Sequence, residues 1–288
     1  MVSVYRIPPG VCWAHARTPV LRHRWLVTFS LLALPLGLLI GVSLAALGGG
    51  GSILTVPALV YVIGENPRNA TSASLVIVGV TALTGTIGYA RSRRVRWGRG
   101  LVFGVVGIGG SLLGSELNGL VNPNVLLLAF AGLMLLAAGA MLQRSAQPTS
   151  VQPPAPRAAG NGLTAKRLVG VAAVGTVVGF MTGFFGVGGG FVVVPGLVLA
   201  LGFRMPEAVG TSLLVIALNS VVALAGRGGV TALDWHVVIP FTAAAMAGSV
   251  LGGGLAARVP ASALERIFAG LLVLVSVSMA TKSILGLV

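Results

Sequence analysis

The sequence predicts an all-α integral membrane protein of about eight transmembrane helices in two tandem repeats, each repeat holding a short glycine-rich helix that is broken or re-entrant. Three observations lead there. Of the 288 residues, 56% are hydrophobic and only 8% are charged, a composition that belongs in a bilayer. Two stretches, residues 25–64 and 168–203, carry no charge at all, and each exceeds the roughly 20 residues that one helix needs to cross the hydrocarbon. The run Gly48-Gly49-Gly50-Gly51 is echoed by Gly186-Val187-Gly188-Gly189-Gly190, offset by 138 residues. Each charge-free stretch therefore holds one full span and a shorter piece interrupted by glycine.

Taken in order, residues 1–24 form a polar arm, expected in the cytoplasm, with Arg6, Arg17, Arg22 and Arg24. Its lone Cys12 has no partner for an intrachain disulfide and no metal-ligand spacing. The apolar stretch that begins at Leu26 is too long for a signal-peptide core and lacks a small-residue cleavage pattern, so it reads as a retained first span. The first repeat, 25–142, continues with a short helix at 53–61 and spans near 70–90, 101–121 and 125–142. Residues 143–165 contain Pro148, Pro153, Pro154 and Pro156 among serine, threonine and glycine, which reads as a loose linker. The second repeat, 166–288, has a span, a short helix at 191–200, and spans near 208–226, 235–257 and 267–287.

A gapless shift of 138 superposes 41–142 on 179–280 with about 28 identities in 102 positions. The weightiest matches are Pro57 with Pro195, Gly64 with Gly202, Ser74-Leu75 with Ser212-Leu213, and Trp97 with Trp235. Duplicated transporters place substrate near the bilayer midplane, on interrupted helices. The net charge of +14 resides in arginines between spans, which set topology rather than bind nucleic acid. Placing the clusters Arg6–Arg24, Arg91–Arg99 and Arg144–Arg167 together in the cytoplasm predicts repeats of like orientation, with both termini inside.

A glycine break followed by a helix lets backbone N–H groups approach an anion. On that ground Gly50, Gly51 and Ser52 in the first repeat, and Gly188, Gly189 and Gly190 in the second, are candidate substrate contacts. Close helix packing through small residues is the competing reading. The helix starts that follow add Thr71, Ser74, Thr211 and Ser212, whose hydroxyls suit an oxyanion or a helix cap; for Asn69 and Thr71 the two readings weigh equally, whereas Ser74 and Ser212 lie a turn into the span, where no cap is required. Thr81 and Asn219 are equivalent positions and, with Thr84, are candidate pathway residues, against the alternative of interhelical hydrogen bonding. Glu116 is a carboxylate within a span, a candidate for proton coupling or an interfacial group. Glu65, Arg68, Arg204 and Glu207 are expected in turns at the outer surface, and Trp97, Trp235 and His236 at the interfaces.

No nucleotide-binding loop, catalytic triad or metal cluster is legible, so neither an enzyme nor a cofactor is expected. The partners expected are a small anion and membrane lipid, with a homo-oligomer possible and no nucleic acid.

Through Gly186-Val187-Gly188-Gly189-Gly190-Phe191 with Pro195, then Ala208-Val209-Gly210-Thr211-Ser212-Leu213, the chain resembles the TauE/SafE family of membrane transporters over residues 30–287. The first repeat carries a looser form in Gly48 to Ser52, Pro57 and Ala70 to Leu75. The resemblance implies secondary transport of small sulfur-containing anions, such as sulfite, sulfonates or sulfoacetate, across the bacterial inner membrane by alternating access. An organic carboxylate carrier and a non-transporting scaffold are the alternatives. Ser52 against Gly190, and Ala73 against Thr211, make any shared site asymmetric.

Overall fold

The computed structural model describes residues 34–65, 67–118, 121, 123–146, 165–185, 190–226 and 233–285. Every regular element among them is helical. The arm with Cys12, the linker from 147 to 164, and Gly186 to Gly189 lie outside the described residues. Helix α1 is described over Leu34–Leu47. The chain continues with α2 (Gly50–Pro57) and a π-helical turn (Ala58–Val62), then α3 (Pro67–Arg91), α4 (Trp97–Asn118) and α5 (Pro123–Ala146). After the linker come α6 (Ala165–Phe185), α7 (Gly190–Pro195) with a π-helical turn (Gly196–Ala200), α8 (Met205–Gly226), α9 (Trp235–Arg258) and α10 (Ala261–Leu285). Five helices, over Asn69–Arg91, Trp97–Leu117, Leu168–Phe185, Met205–Ala225 and Trp235–Ala256, are long and apolar enough to cross a membrane.

Local chemistry explains the boundaries. Helices α3 and α5 open on Pro67 and Pro123, where a missing N–H costs nothing. Asp234 caps α9, its carboxylate accepting from the His236 N–H at 3.0 Å. The short helices α2 and α7 end on Pro57 and Pro195 and widen there into a π turn, as expected where a ring crowds the preceding carbonyl and supplies no N–H. The first segment then turns on Gly64 (φ +81°) and the second on Gly202 (φ +68°), a left-handed backbone that glycine adopts freely. Gly64 and Gly202 are 138 apart, as are the first residues of α3 and α8, of α4 and α9, and of α5 and α10 (205 − 67, 235 − 97 and 261 − 123).

Glycine contacts fix how the helices run. A Cβ added to Gly175, Gly179 or Gly183 on α6 would strike the backbone of Phe103, Gly107 or Ser111 on α4, so α4 and α6 run in the same direction. Gly37 and Gly41 on α1 meet Phe241 and Ala245 on α9 in the same parallel sense. Such backbone-to-backbone approach through small residues is the main source of helix cohesion in lipid, where apolar burial supplies little. By contrast Gly79, Gly85 and Tyr89 on α3 face Ser220, Leu213 and Gly210 on α8, so α3 and α8 are antiparallel.

These directions overturn the expected like orientation of the two halves, since α3 and α8 are related by the 138-residue shift and point oppositely. The reason lies in the short segment. Helix α1 descends until the Tyr89 hydroxyl, near the end of α3, donates to the Ala45 carbonyl at 2.9 Å. The α2 segment then climbs back, for Leu59 and Ile63 pack with Leu36, Ile40, Val238 and Phe241, at the starts of α1 and α9. Its 13 residues (50 to 62) reach about 20 Å at 1.5 Å per residue, enough to undo most of one crossing. An arginine-rich end thus gathers the α3–α4 turn, the starts of α6, α8 and α10, and the ends of α5 and α9. The start of α1 and the end of α10 sit at the other end, not with the Arg91–Arg99 cluster as expected.

The same geometry corrects the placement of two turns. Arg96, which precedes α4, grips Glu207 in the first turn of α8, with Nη2 to Oε1 at 2.8 Å and Nε to Oε2 at 3.3 Å. Arg204 and Glu207 therefore lie at the arginine-rich end, whereas Glu65, which follows the α2 segment, lies at the other. They do not share one surface.

Candidate functional site

The two breaks meet. Ser52, in the first turn of α2, donates to the Gly49 carbonyl at 2.7 Å. A Cβ added to Gly190, the first residue of α7, would stand 2.7 Å from that same Ser52 Oγ and 3.1 Å from Ile216 Cδ1. Ser52 and Gly190 are equivalent under the 138-residue shift (190 − 52). Ile216 lies midway along α8, so the meeting point falls near half-depth of the bundle.

Around it the sequence-predicted residues divide into three groups. Some are consumed in holding the breaks. Ser212, fully buried, shares its hydroxyl proton between the Gly48 carbonyl at 2.7 Å and the Val209 carbonyl at 2.8 Å. It thereby ties α8 to the α1–α2 break and satisfies a carbonyl that the helix has released. Gly48 itself has φ +73° and sits against Val209 and Val194, so both its conformation and its surroundings require glycine. Gly51 lies against the Ile40 carbonyl and Leu44, closing the hairpin between α1 and α2 that opens at Gly50. Ser74 donates to the Thr71 carbonyl at 2.8 Å, which holds the first turns of α3.

Others sit away from the meeting point. Thr211 is buried and its hydroxyl accepts the Arg96 N–H at 3.3 Å, at the arginine-rich end. Thr84 donates to the Val80 carbonyl and is directed into a cleft against α9. Glu116 lies exposed in the last turn of α4, at the opposite end. Gly188 and Gly189 lie outside the described residues.

The third group is Thr81 and Asn219. Thr81 Oγ1 and Asn219 Oδ1 are buried and have no hydrogen-bond partner among the described residues. Threonines elsewhere on these helices, Thr86, Thr176 and Thr242 among them, donate to the carbonyl one turn back; Thr81 does not. The two residues belong to one layer of the α3–α8 crossing, because Thr81 follows Gly79, which faces Ser220, the neighbour of Asn219. Asn219 also shares a helical face with Ser212 and Ile216, at spacings of seven and three, and that face is turned to the breaks. An unpaired buried polar atom is costly, which makes Thr81 and Asn219 candidates for contact with a polar solute.

Sequence reasoning missed Arg96 and Gly48. Arg96 looked like one more topology-setting arginine, and its partner Glu207 is 111 residues away. Gly48 was legible only as part of a run.

Comparison with known proteins agrees with the membrane architecture. Residues 33–279 match the family model described as sulfite exporter TauE/SafE. A probable membrane transporter protein of Xylella fastidiosa (strain Temecula1) is 35% identical over 257 residues, covering 88% of this chain and 95% of the relative. The probable membrane transporter protein YunE of Bacillus subtilis is 28% identical over 254 residues, covering 83% and 93%. No solved structure matches the chain. A multi-pass helical chain with these relatives is a membrane transporter and not an enzyme, and it belongs to the sulfite exporter TauE/SafE family.

Proposed function

We propose that the chain carries small sulfur-containing anions, of the sulfite, sulfonate or sulfoacetate class, across the bacterial inner membrane by alternating access. Eight spans, arranged as two inverted copies of one unit, surround a site where the two breaks meet. The observation that carries this reading is the Ser52–Gly190 contact against Ile216, with the orphaned Asn219 atom on the same face of α8 and the orphaned Thr81 atom on α3, which crosses it. Hydroxyl and carboxamide are neutral dipoles, and a carboxamide turned by 180° presents its NH₂ where its oxygen stood. Such groups replace an anion's hydration shell without binding it so tightly that release fails. A cation is disfavoured because the five acidic residues all fall at or near helix ends (Glu65, Glu116, Glu207, Asp234 and Glu265) and leave the middle of the bundle without a carboxylate. Rocking of the two copies about the meeting point exposes it to each side in turn.

The inside of the cell is assigned by charge. The arginine-rich end holds Arg91, Arg93, Arg94, Arg96, Arg99, Arg204, Arg258 and Arg266, whereas at the other end the described helices place only Arg68 and Lys282. The positive-inside rule sets the first end in the cytoplasm. The start of α1 and the end of α10 then face outward, and Cys12, the lone cysteine, becomes a native probe. A membrane-impermeant maleimide should label it in intact spheroplasts; labelling only after permeabilisation would reverse the assignment.

For the site, proteoliposomes holding the purified protein should take up labelled sulfite or a sulfonate. Thr81→Val and Asn219→Leu, which keep volume and remove polarity, should cut flux at least tenfold while leaving thermal stability equal or higher. Full flux in both variants would place the substrate elsewhere.

A further inference from the structure

A second cavity lies apart from the meeting point. It is a cleft of about 320 Å³ between the last turns of α3 and the lower part of α9. Its floor is bare backbone: Gly88 and Gly254 have nothing within 4 Å of an added Cβ, and Gly253 has only the Tyr89 ring edge at 3.9 Å. Its sides are apolar and open outward, with Ile87 55% and Val250 65% exposed, which at this depth means exposed to lipid. Its mouth, at the arginine-rich end, carries Arg91 and Arg94.

The polar groups of the cleft are unequal. Thr84 donates to the Val80 carbonyl, Tyr89 to the Ala45 carbonyl, Ser249 to the Thr81 carbonyl, and Ser92 to the Gly88 carbonyl. Every hydroxyl is thus spent on backbone. Neither Arg91 nor Arg94 has an ion-pair partner among the described residues, Glu207 being held by Arg96. The turn that aims them is built for it. The Arg94 N–H returns to the Tyr89 carbonyl at 3.0 Å and the Arg93 N–H to the Ala90 carbonyl at 2.9 Å, with Arg93 left-handed at φ +54°, a Schellman closure. The cleft therefore has two unspent cationic forks at its mouth and a hydroxyl-quenched, glycine-floored slot running toward the bilayer centre. Its volume equals about ten waters at ~30 Å³ each, far more than a small oxyanion fills.

We propose that this cleft binds an anionic phospholipid, its phosphate on Arg91 and Arg94 and one acyl chain along the slot over Gly88 and Gly254. Basic pockets between membrane helices on the cytoplasmic side hold such headgroups, each arginine near the surface strengthening the attraction several-fold. The site is independent of the substrate reading. Tyr89, which lines the cleft, makes the hydrogen bond to Ala45 that steadies the end of α1, so a bound lipid braces the first break from outside.

The test uses the full chain, delipidated in a neutral detergent, with phosphatidylglycerol, phosphatidylcholine and inorganic phosphate as probes, read by native mass spectrometry and thermal shift. The wild type should retain phosphatidylglycerol at least tenfold better than phosphatidylcholine. Arg91→Gln with Arg94→Gln should abolish that preference. Gly88→Leu, which fills the slot and keeps both charges, should lower phosphatidylglycerol retention at least tenfold without unfolding the protein, since open space surrounds that position. Equal retention of the two lipids, an unchanged preference in the arginine variant, or inorganic phosphate competing equally well in the wild type and in Gly88→Leu would each overturn the proposal.

Discussion

Replacing Gly190 by alanine tests the meeting of the two breaks directly. The new Cβ would stand 2.7 Å from Ser52 Oγ and 3.1 to 3.2 Å from the Ile216 side chain. Relief requires Ser52 to swing away and surrender its hydrogen bond to the Gly49 carbonyl, about 1 kcal/mol, and Ile216 to shift in a packed environment, about 1 to 3 kcal/mol. The single variant should therefore lose about 2 to 4 kcal/mol. Ser52→Gly alone should lose only the hydrogen bond. The informative species is the exchange, Ser52→Gly with Gly190→Ser, which restores one hydroxyl and one hydrogen to the contact. Thermal unfolding in detergent, assembled into a double-mutant cycle against Gly190→Ser and Ser52→Gly, should show a favourable coupling of at least about 1 kcal/mol, and flux should recover in the exchange variant. Additive losses, with the exchange variant as unstable as the sum of its parts, would refute the contact.

Ser212→Ala leaves the buried Gly48 carbonyl without its donor and should destabilise the protein by about 1 to 3 kcal/mol, seen as a lowered unfolding midpoint; Ser74→Ala removes a bond to the Thr71 carbonyl within its own helix and should cost less. Arg96→Gln or Glu207→Gln breaks a pair that is 36% and 26% exposed, so stability should change by under about 1 kcal/mol, while the contact it makes between the two halves at the arginine-rich end should weaken and shift the accessibility of cysteines placed there. Arg93→Gly removes a side chain from a left-handed position and should raise thermal stability by roughly 1 kcal/mol, with lipid retention unchanged because Arg91 and Arg94 remain.

The membrane class and the coarse helical architecture were legible because their signals are one-dimensional. A charge-free stretch is read directly from the chain, and Trp97 and Trp235 open α4 and α9. The direction of the helices was not legible, because it depends on whether the α2 segment dips or returns. Thirteen residues ending at Val62 have the length to climb back, but hydropathy is identical for either path. Basic clusters then mislead: Arg22 and Arg24 precede a helix that starts at the end remote from Arg91 to Arg99. At the candidate site, the polarity of Thr81 and Asn219 was visible, and so was their equivalence. Their lack of partners was not, since it depends on neighbours brought in by α3 crossing α8. For Ser212 the opposite held: a hydroxyl that looked free for a ligand is tied to a carbonyl 164 positions away.

The proposed inverted arrangement has a consequence at its own axis. Residues near that axis meet their equivalents from the other copy, so identical side chains there would compete for one volume. Ser52 against Gly190 resolves the competition: serine on both sides would clash at 2.7 Å, and glycine on both would leave no hydroxyl at the contact. A side chain on only one side of this contact is thus what its spacing allows. Thr81 and Asn219 obey the same logic one layer along, where equivalent positions carry a hydroxyl and a carboxamide. On the proposed reading, a site formed by one of each has distinguishable ends. Under the proposed alternating-access cycle it would orient a solute whose ends also differ, as the oxygen and carbon sides of a sulfonate do, whichever side the solute enters from. A variant carrying threonine at both positions should lose that polarity of fit, and its flux should fall more for sulfonates than for the compact sulfite ion.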